Sequence, residues 1–136
     1  MKKFDWQEYY LLAGDLLSQA DTSLHKEAML RSAVSRAYYA AFHRACEFLR
    51  RVNKYPTQQE FKSSRKETHR FLIDIFANSP GYPEWCKIGD LLYSLKDFRQ
   101  KADYAKSVEK HVFRKRERVE ELVDRAKEIM DLVDAL

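Results

Sequence analysis

Residues 28–49 read AMLRSAVSRAYYAAFHRACEFL. The stretch holds no Gly or Pro and spans about six helical turns. Apolar residues recur three and four apart, as Leu30, Val34, Ala37, Ala41, Ala45, Phe48 and Val52, which is the period of an α-helix with one buried stripe. Ala28, Ala33, Ala37, Ala40, Ala41 and Ala45 present almost no side chain, so another backbone can approach closely. Tyr38, Tyr39 and Phe42 fill what the alanines leave open. The pattern predicts a helix over 24–52, roughly 40 Å long, that serves as the central scaffold.

Four more helices follow from the same reasoning. Tyr9, Tyr10, Ala13, Leu16, Leu17 and Ala20 predict a helix over 6–19, broken by Asp21-Thr22-Ser23. The polar stretch 53–63 with Pro56 reads as a loop. Ser64-x-x-Glu67 reads as a capping box opening a third helix that buries Phe71, Leu72, Ile75 and Phe76. Pro83 suits the first position of a fourth, whose stripe is Ile88, Leu91/Leu92, Leu95, Phe98 and Ala102. Val119, Leu122, Ala126, Ile129 and Val133 predict a fifth over 113–136. The expectation is an all-α, antiparallel up-and-down bundle of about five helices forming one domain over 1–136.

Composition agrees. Three Gly, three Pro and 34% charged residues fit a helical bundle and argue against a turn-rich β fold. No apolar run approaches the length of about 18 residues that a membrane span needs. No apolar stretch follows Lys2 and Lys3, so no secretory leader is expected. Cys46 and Cys86 stand on separate predicted helices and are expected as free thiols in a cytoplasmic protein. His-Glu-x-x-His, Cys-x-x-Cys and Gly-rich phosphate loops are absent. His43 and Glu47 lie one turn apart without a second pair, so no metal and no cofactor are expected.

The net charge of +4 is uneven. Residues 96–118 hold Lys96, Arg99, Lys101, Lys106, Lys110, Arg114, Lys115, Arg116 and Arg118 against Asp97, Asp103, Glu109 and Glu117. That window carries nine bases and four acids, hence +5, and the rest of the chain −1. Two readings stay open: a polyanion partner such as RNA, or a solvated Lys/Arg-rich helix face. Within it, Leu95–Tyr104 reads LKDFRQKADY. Arg99 and Asp103 are one turn apart and suited to pair. Arg99 sits beside the apolar stripe, where its fixed charge and forked donors would suit a phosphate; a local ion pair tying two helices is the alternative. Tyr38, Tyr39 and Phe42 suit core packing or base stacking, with Tyr39 turned about 100° from the other two.

Three segments together resemble the HEPN superfamily (higher eukaryotes and prokaryotes nucleotide-binding domain). Residues 31–42, RSAVSRAYYAAF, resemble its signature second helix; Lys66-Glu67-Thr68-His69 resembles the start of its third; Arg99-x-x-Ala-Asp-Tyr104 resembles its late motif. Trp6 and Ala13 also fit, and the resemblance spans nearly the whole chain. It implies a homodimeric helical bundle that binds nucleotides or RNA. Many members are metal-independent ribonucleases using Arg-x(4–6)-His across a dimer cleft, and many act as the toxin of a two-gene toxin–antitoxin module beside a nucleotidyltransferase-fold protein. This chain departs from the motif: residues 104, 105 and 106 are Tyr, Ala and Lys, and His111 lies twelve positions after Arg99. Arg36-x6-His43 meets the spacing but lies in the second helix and is set aside as coincidence. Tyr104, with an ordinary pKa of about 10, is a poor base. The expected site is therefore Arg99 and Tyr104 as catalytic residues, with Arg99, Lys101, Asp103, Tyr104, Lys106 and Tyr39 binding the nucleotide or RNA. A non-catalytic helical adaptor is the alternative, and a nucleotide sensor a third.

Overall fold

Helix α2, Lys26–Arg51, decides the architecture because its burial runs around most of its circumference. Leu30, Ala33, Val34, Ala37, Tyr38, Ala40, Ala41, Ala45, Cys46, Phe48 and Leu49 are all buried. A helix that is apolar nearly all round must be covered from several sides. Here α1 (Gln7–Ala20), α5 (Pro83–Tyr104) and α6 (Arg116–Asp134) do so. The alanines make this approach feasible at several faces at once. Asn53 stops α2 in the left-handed region, φ 58°. Lys54 and Asn53 donate their N–H groups back to Leu49 and Arg50, the Schellman pattern that Asn tolerates better than most side chains.

The computed structural model describes residues 2–136, and these form six α-helices, one short 3₁₀-helix and no strand. The sixth α-helix is α3, Gln58–Ser64, in the stretch expected to be loop. Thr57 and Glu60 form its capping box, so the box expected at Ser64 and Glu67 is corrected. Ser64 ends α3, Arg65 turns the chain at φ 58°, and α4 (Thr68–Ala77) starts later with Glu67 as its cap. The Glu67 carboxylate accepts the His69 and Arg70 amides at 3.0 and 3.1 Å. The last helix also starts later than expected: the 3₁₀-helix Glu109–Arg114 precedes α6.

Pro83 does stand at the start of α5. The buried stripe of α5 runs Ile88, Leu92, Leu95, Arg99, Ala102. Arg99 is thus on the stripe rather than beside it, and Phe98 is half-buried next to it. Glycine is required once along α5, at Gly89, where an ideal Cβ would overlap the Ala77 backbone of α4. The C-terminus of α5 is closed by Arg31 of α2, whose Nη1 donates to the carbonyls of Lys101, Ala102 and Ala105 at 3.1, 3.1 and 2.7 Å. A cation at the negative end of a helix, satisfying its orphan carbonyls, locks the end of α5 onto α2. The guanidinium also lies 5.0 Å from the Phe113 ring centroid and pairs with Glu27. Arg31 therefore sets where Arg99 and Asp103 lie over α2.

Cys46 and Cys86 are free, and burial pushes the Cys46 thiol up to about 12. No helix is long and apolar enough to cross a membrane among the described residues.

Candidate functional site

Arg99 stands at a stripe position that a leucine would normally occupy, and only 8% of its surface is exposed. Its guanidinium carbon lies 5.3 Å from the Tyr38 ring centroid and 5.5 Å from that of Tyr39. Asp103, one turn on, approaches Nη1 at 3.6 Å, beyond ordinary hydrogen-bond length. The Asp103 carboxylate accepts instead from Ser35 Oγ at 3.4 Å. Arg99 Nε is the one buried side-chain nitrogen or oxygen among the described residues with no hydrogen-bond partner. A guanidinium has five donors and no acceptor. Burying it on two aromatic faces with only a long ion pair leaves those donors available to an anion.

The second component comes from α4. The Glu67 cap sets the first turn of that helix and so fixes where His69 projects. The His69 ring stacks on Phe42, centroids 4.0 Å apart and planes 2° apart. Its Nδ1 lies 2.7 Å from the Tyr38 hydroxyl. No hydrogen bond engages its Nε2, and that atom is absent from the buried set just described, so it meets solvent. Burial holds His69 below the usual imidazole pKa, with the charges of Arg99 and Lys96 acting the same way and Glu67 opposing them. Burial likewise raises the Tyr38 phenol, against the Arg99 charge, so Tyr38 stays neutral. Lys96 pairs with Glu67 at 3.1 Å.

A groove of about 490 Å³ opens alongside, lined by Trp6, Tyr9, Ser35, Arg36, Tyr39, His43 and Asp103. Its size falls within the range of roughly 300–1,000 Å³ common to small-ligand sites. Trp6 and His43 stack at its wall, 3.6 Å apart and 12° from parallel. Burial lowers the His43 pKa to about 4, reinforced by His69 and Arg50. Arg36 lies over the Tyr9 ring at 5.0 Å. Arg36 and His43, set aside as a coincidental pair, thus share this groove with Tyr39 and Asp103.

The remaining expected site residues lie elsewhere. Tyr104 is 79% exposed and is not on the groove. Lys101 pairs with Asp97 at 2.9 Å and lies over Phe98. Lys106 lines a separate small cleft with Glu27, Arg31 and His111. The basic window is largely neutralised locally: Arg114 pairs with Glu27, Arg116 with Asp21 and Glu120, and Arg118 with Glu121, while the Lys110 side chain lies outside the described residues. Of the expected set, the structure brings together Arg99, Asp103 and Tyr39. Tyr38, His69, His43 and Ser35 were missed as site residues, although His69 lay inside a quoted motif. The burial of Arg99 against α2 and Asp103 suits an ion-pair tie between helices; the absent hydrogen bonds and the adjoining groove suit a ligand site. Among the described residues no three His, Cys, Asp or Glu side chains converge as a metal set.

Comparison with protein-family models, with curated proteins and with solved structures finds no match to this chain.

Proposed function

We propose that this protein binds a phosphate of RNA or of a nucleotide through Arg99, as a HEPN-type helical domain. The observation that carries the reading is the Arg99 guanidinium: buried, held on Tyr38 and Tyr39, and lacking any protein hydrogen bond. A buried charge normally gathers hydrogen-bonding partners. One that is positioned by ring faces instead keeps its planar fork free for two phosphate oxygens. The groove beside it offers Tyr39 and Trp6 as faces for a base. The HEPN reading adds a homodimer and ribonuclease-like activity. It also makes the chain the toxin-like half of a two-gene module with a nucleotidyltransferase-fold partner.

The test is binding of a fluorescent single-stranded RNA to the purified chain, with Arg99→Ala and Arg99→Lys beside it. Loss of binding in the alanine variant and clear weakening in the lysine variant are expected, because a point charge cannot replace the fork. Undiminished binding by Arg99→Ala would remove Arg99 from the site.

The adaptor reading has one observation of its own. Phe4, Leu11 and Leu12 are 50%, 58% and 40% exposed, and they border one shallow hollow with Glu8, Tyr9 and Asp15. An apolar patch of this kind marks a protein contact. Leu11→Asp should then disrupt self-association or partner capture without altering RNA binding.

A further inference from the structure

Arg99 is not the only charge at its site, and the other charges limit what it can hold. We propose that the site selects a phosphate carrying a single negative charge, the phosphodiester linkage of a nucleic acid or of a cyclic nucleotide, and that Asp103 is the residue that rejects the doubly charged terminal phosphate of a mononucleotide. The proposal rests on the phosphate-binding reading of Arg99 and names the class of phosphate.

The two side chains stand one turn apart on α5. Asp103 lies 3.6 Å from Arg99 Nη1, too far for an ordinary hydrogen bond yet close enough to act on anything seated on the fork. Its other contact, with the Ser35 hydroxyl, is also long at 3.4 Å. Asp103 therefore leaves the donors of Arg99 open while placing a negative charge at their edge. The same carboxylate lines the groove, with 29% of its side chain exposed. A ligand in the groove meets Arg99 and Asp103 together.

The remaining charges nearly balance. Helix α2 faces the site with Ser35, Arg36, Tyr38, Tyr39 and His43, α4 with Glu67 and His69, and α5 with Lys96, Arg99 and Asp103. Both imidazoles are neutral at pH 7, because burial holds His43 at about 4 and His69 below its usual value. Lys96 is matched by Glu67 at 3.1 Å. Arg36 lies over the Tyr9 ring and has no ion pair among the described residues. Arg36, Lys96 and Arg99 against Glu67 and Asp103 leave one positive charge, which one negative charge on the ligand offsets. A second would leave the site net negative around an arginine that is only 8% exposed. The cost of taking an ion out of water grows with the square of its charge, whereas its attraction to a fixed cation grows only in proportion. A diester carries one charge and still presents two non-bridging oxygens to the planar fork. A terminal phosphate carries nearly two charges at neutral pH, its second pKa being about 6.

The experiment is displacement of the fluorescent single-stranded RNA from the full chain by adenosine 3′,5′-cyclic monophosphate and by adenosine 5′-monophosphate. The two share base and sugar and differ in phosphate charge. At about pH 8 the cyclic nucleotide should displace at about tenfold lower concentration, the scale on which one like charge is rejected. At about pH 5.5 the monoester regains its second proton, so that ratio should fall toward one. Protonation of His69 over the same range strengthens both ligands, which is why the ratio is read rather than either affinity. Asp103→Asn keeps the shape and removes the charge. It should raise affinity about threefold for the cyclic nucleotide and about tenfold for the monoester, because the repulsion removed scales with ligand charge. An Asp103 that only steadies α5 would change stability and leave the ratio alone. Should Asp103→Asn fail to fold, the pH dependence of the ratio in the parent decides. Monoester binding as tight as cyclic at about pH 8, a ratio indifferent to pH, or equal gains in the variant would each overturn the assignment while sparing Arg99 as a phosphate site. Absence of RNA binding would sink both. Adenylyl-adenosine and its deoxy form distinguish the source: tighter binding of either than of the cyclic nucleotide supports a diester within a strand, and the reverse supports a free cyclic nucleotide.

Discussion

Replacing Arg99 by Met separates a ligand-binding arginine from a structural one. Methionine follows the aliphatic stem of the arginine about as far as Nε, so an apolar side chain stays beside Tyr38 and Tyr39 while the charge, the donors and the guanidinium's own ring contacts are lost. On one side of the balance, the unpartnered buried Nε costs about 1–3 kcal/mol in the parent, and methionine relieves it. On the other side, two ring contacts at 5.3 and 5.5 Å are lost, together worth about 1–2 kcal/mol. The Asp103 pair at 3.6 Å has a partner with 29% of its side chain exposed, so its loss costs about 1 kcal/mol at most. A sulfur on the same rings returns about 0.3–1.5 kcal/mol. These effects nearly cancel. Stability should remain within about 1.5 kcal/mol of the parent, or roughly 6 °C in Tm for a domain of this size. RNA binding should nonetheless vanish. The assays are urea unfolding followed by far-UV circular dichroism, and RNA titration on the same preparation. A loss of more than about 3 kcal/mol, the scale of breaking a buried charge pair, would refute the reasoning and assign Arg99 to tying α5 to α2.

Two further outcomes follow from the packing and the titration. His43 is held at about 4 in the fold against an ordinary 6.5, so the unfolded chain binds the extra proton between those values and stability should fall as pH drops from about 6.5 to 4. His43→Gln should flatten that part of the unfolding curve, and an unchanged slope would show that other groups govern it. Gly89→Ala forces a Cβ into the Ala77 backbone and should cost about 1–3 kcal/mol, whereas Gly14→Ala, with open space around it, should leave the urea midpoint unchanged or raise it; equal effects at the two glycines would contradict the close α4–α5 approach.

Much of the fold was legible because helices announce themselves locally. The three-and-four spacing of α2 and α6 gave both helix and buried face, and Pro83 marked the start of α5. Starts and stops were less legible where two signals compete. Ser64-x-x-Glu67 has the letters of a capping box, but Thr57 and Glu60 seven residues earlier form the one that is made, and Arg65 then turns the chain so that Glu67 caps α4 alone. Reading the α5 stripe through Phe98 misplaced Arg99 by one position, because a charged residue is assumed to face water until packing shows otherwise.

The sequence by itself determined that the chain is helical, which faces are apolar, and that Arg99 and Asp103 fall one turn apart. Those properties depend on neighbours within a few residues. Only the tertiary structure decided that Tyr38, His69 and Arg99, from three different helices, converge. Their meeting depends on how closely α5 can lie on α2, which the alanines permit, and on where Arg31 and Glu67 anchor the ends of α5 and α4. No local spacing encodes such distances, so the approach of His69 and Arg99 to the same two tyrosine rings could not be read from any one motif.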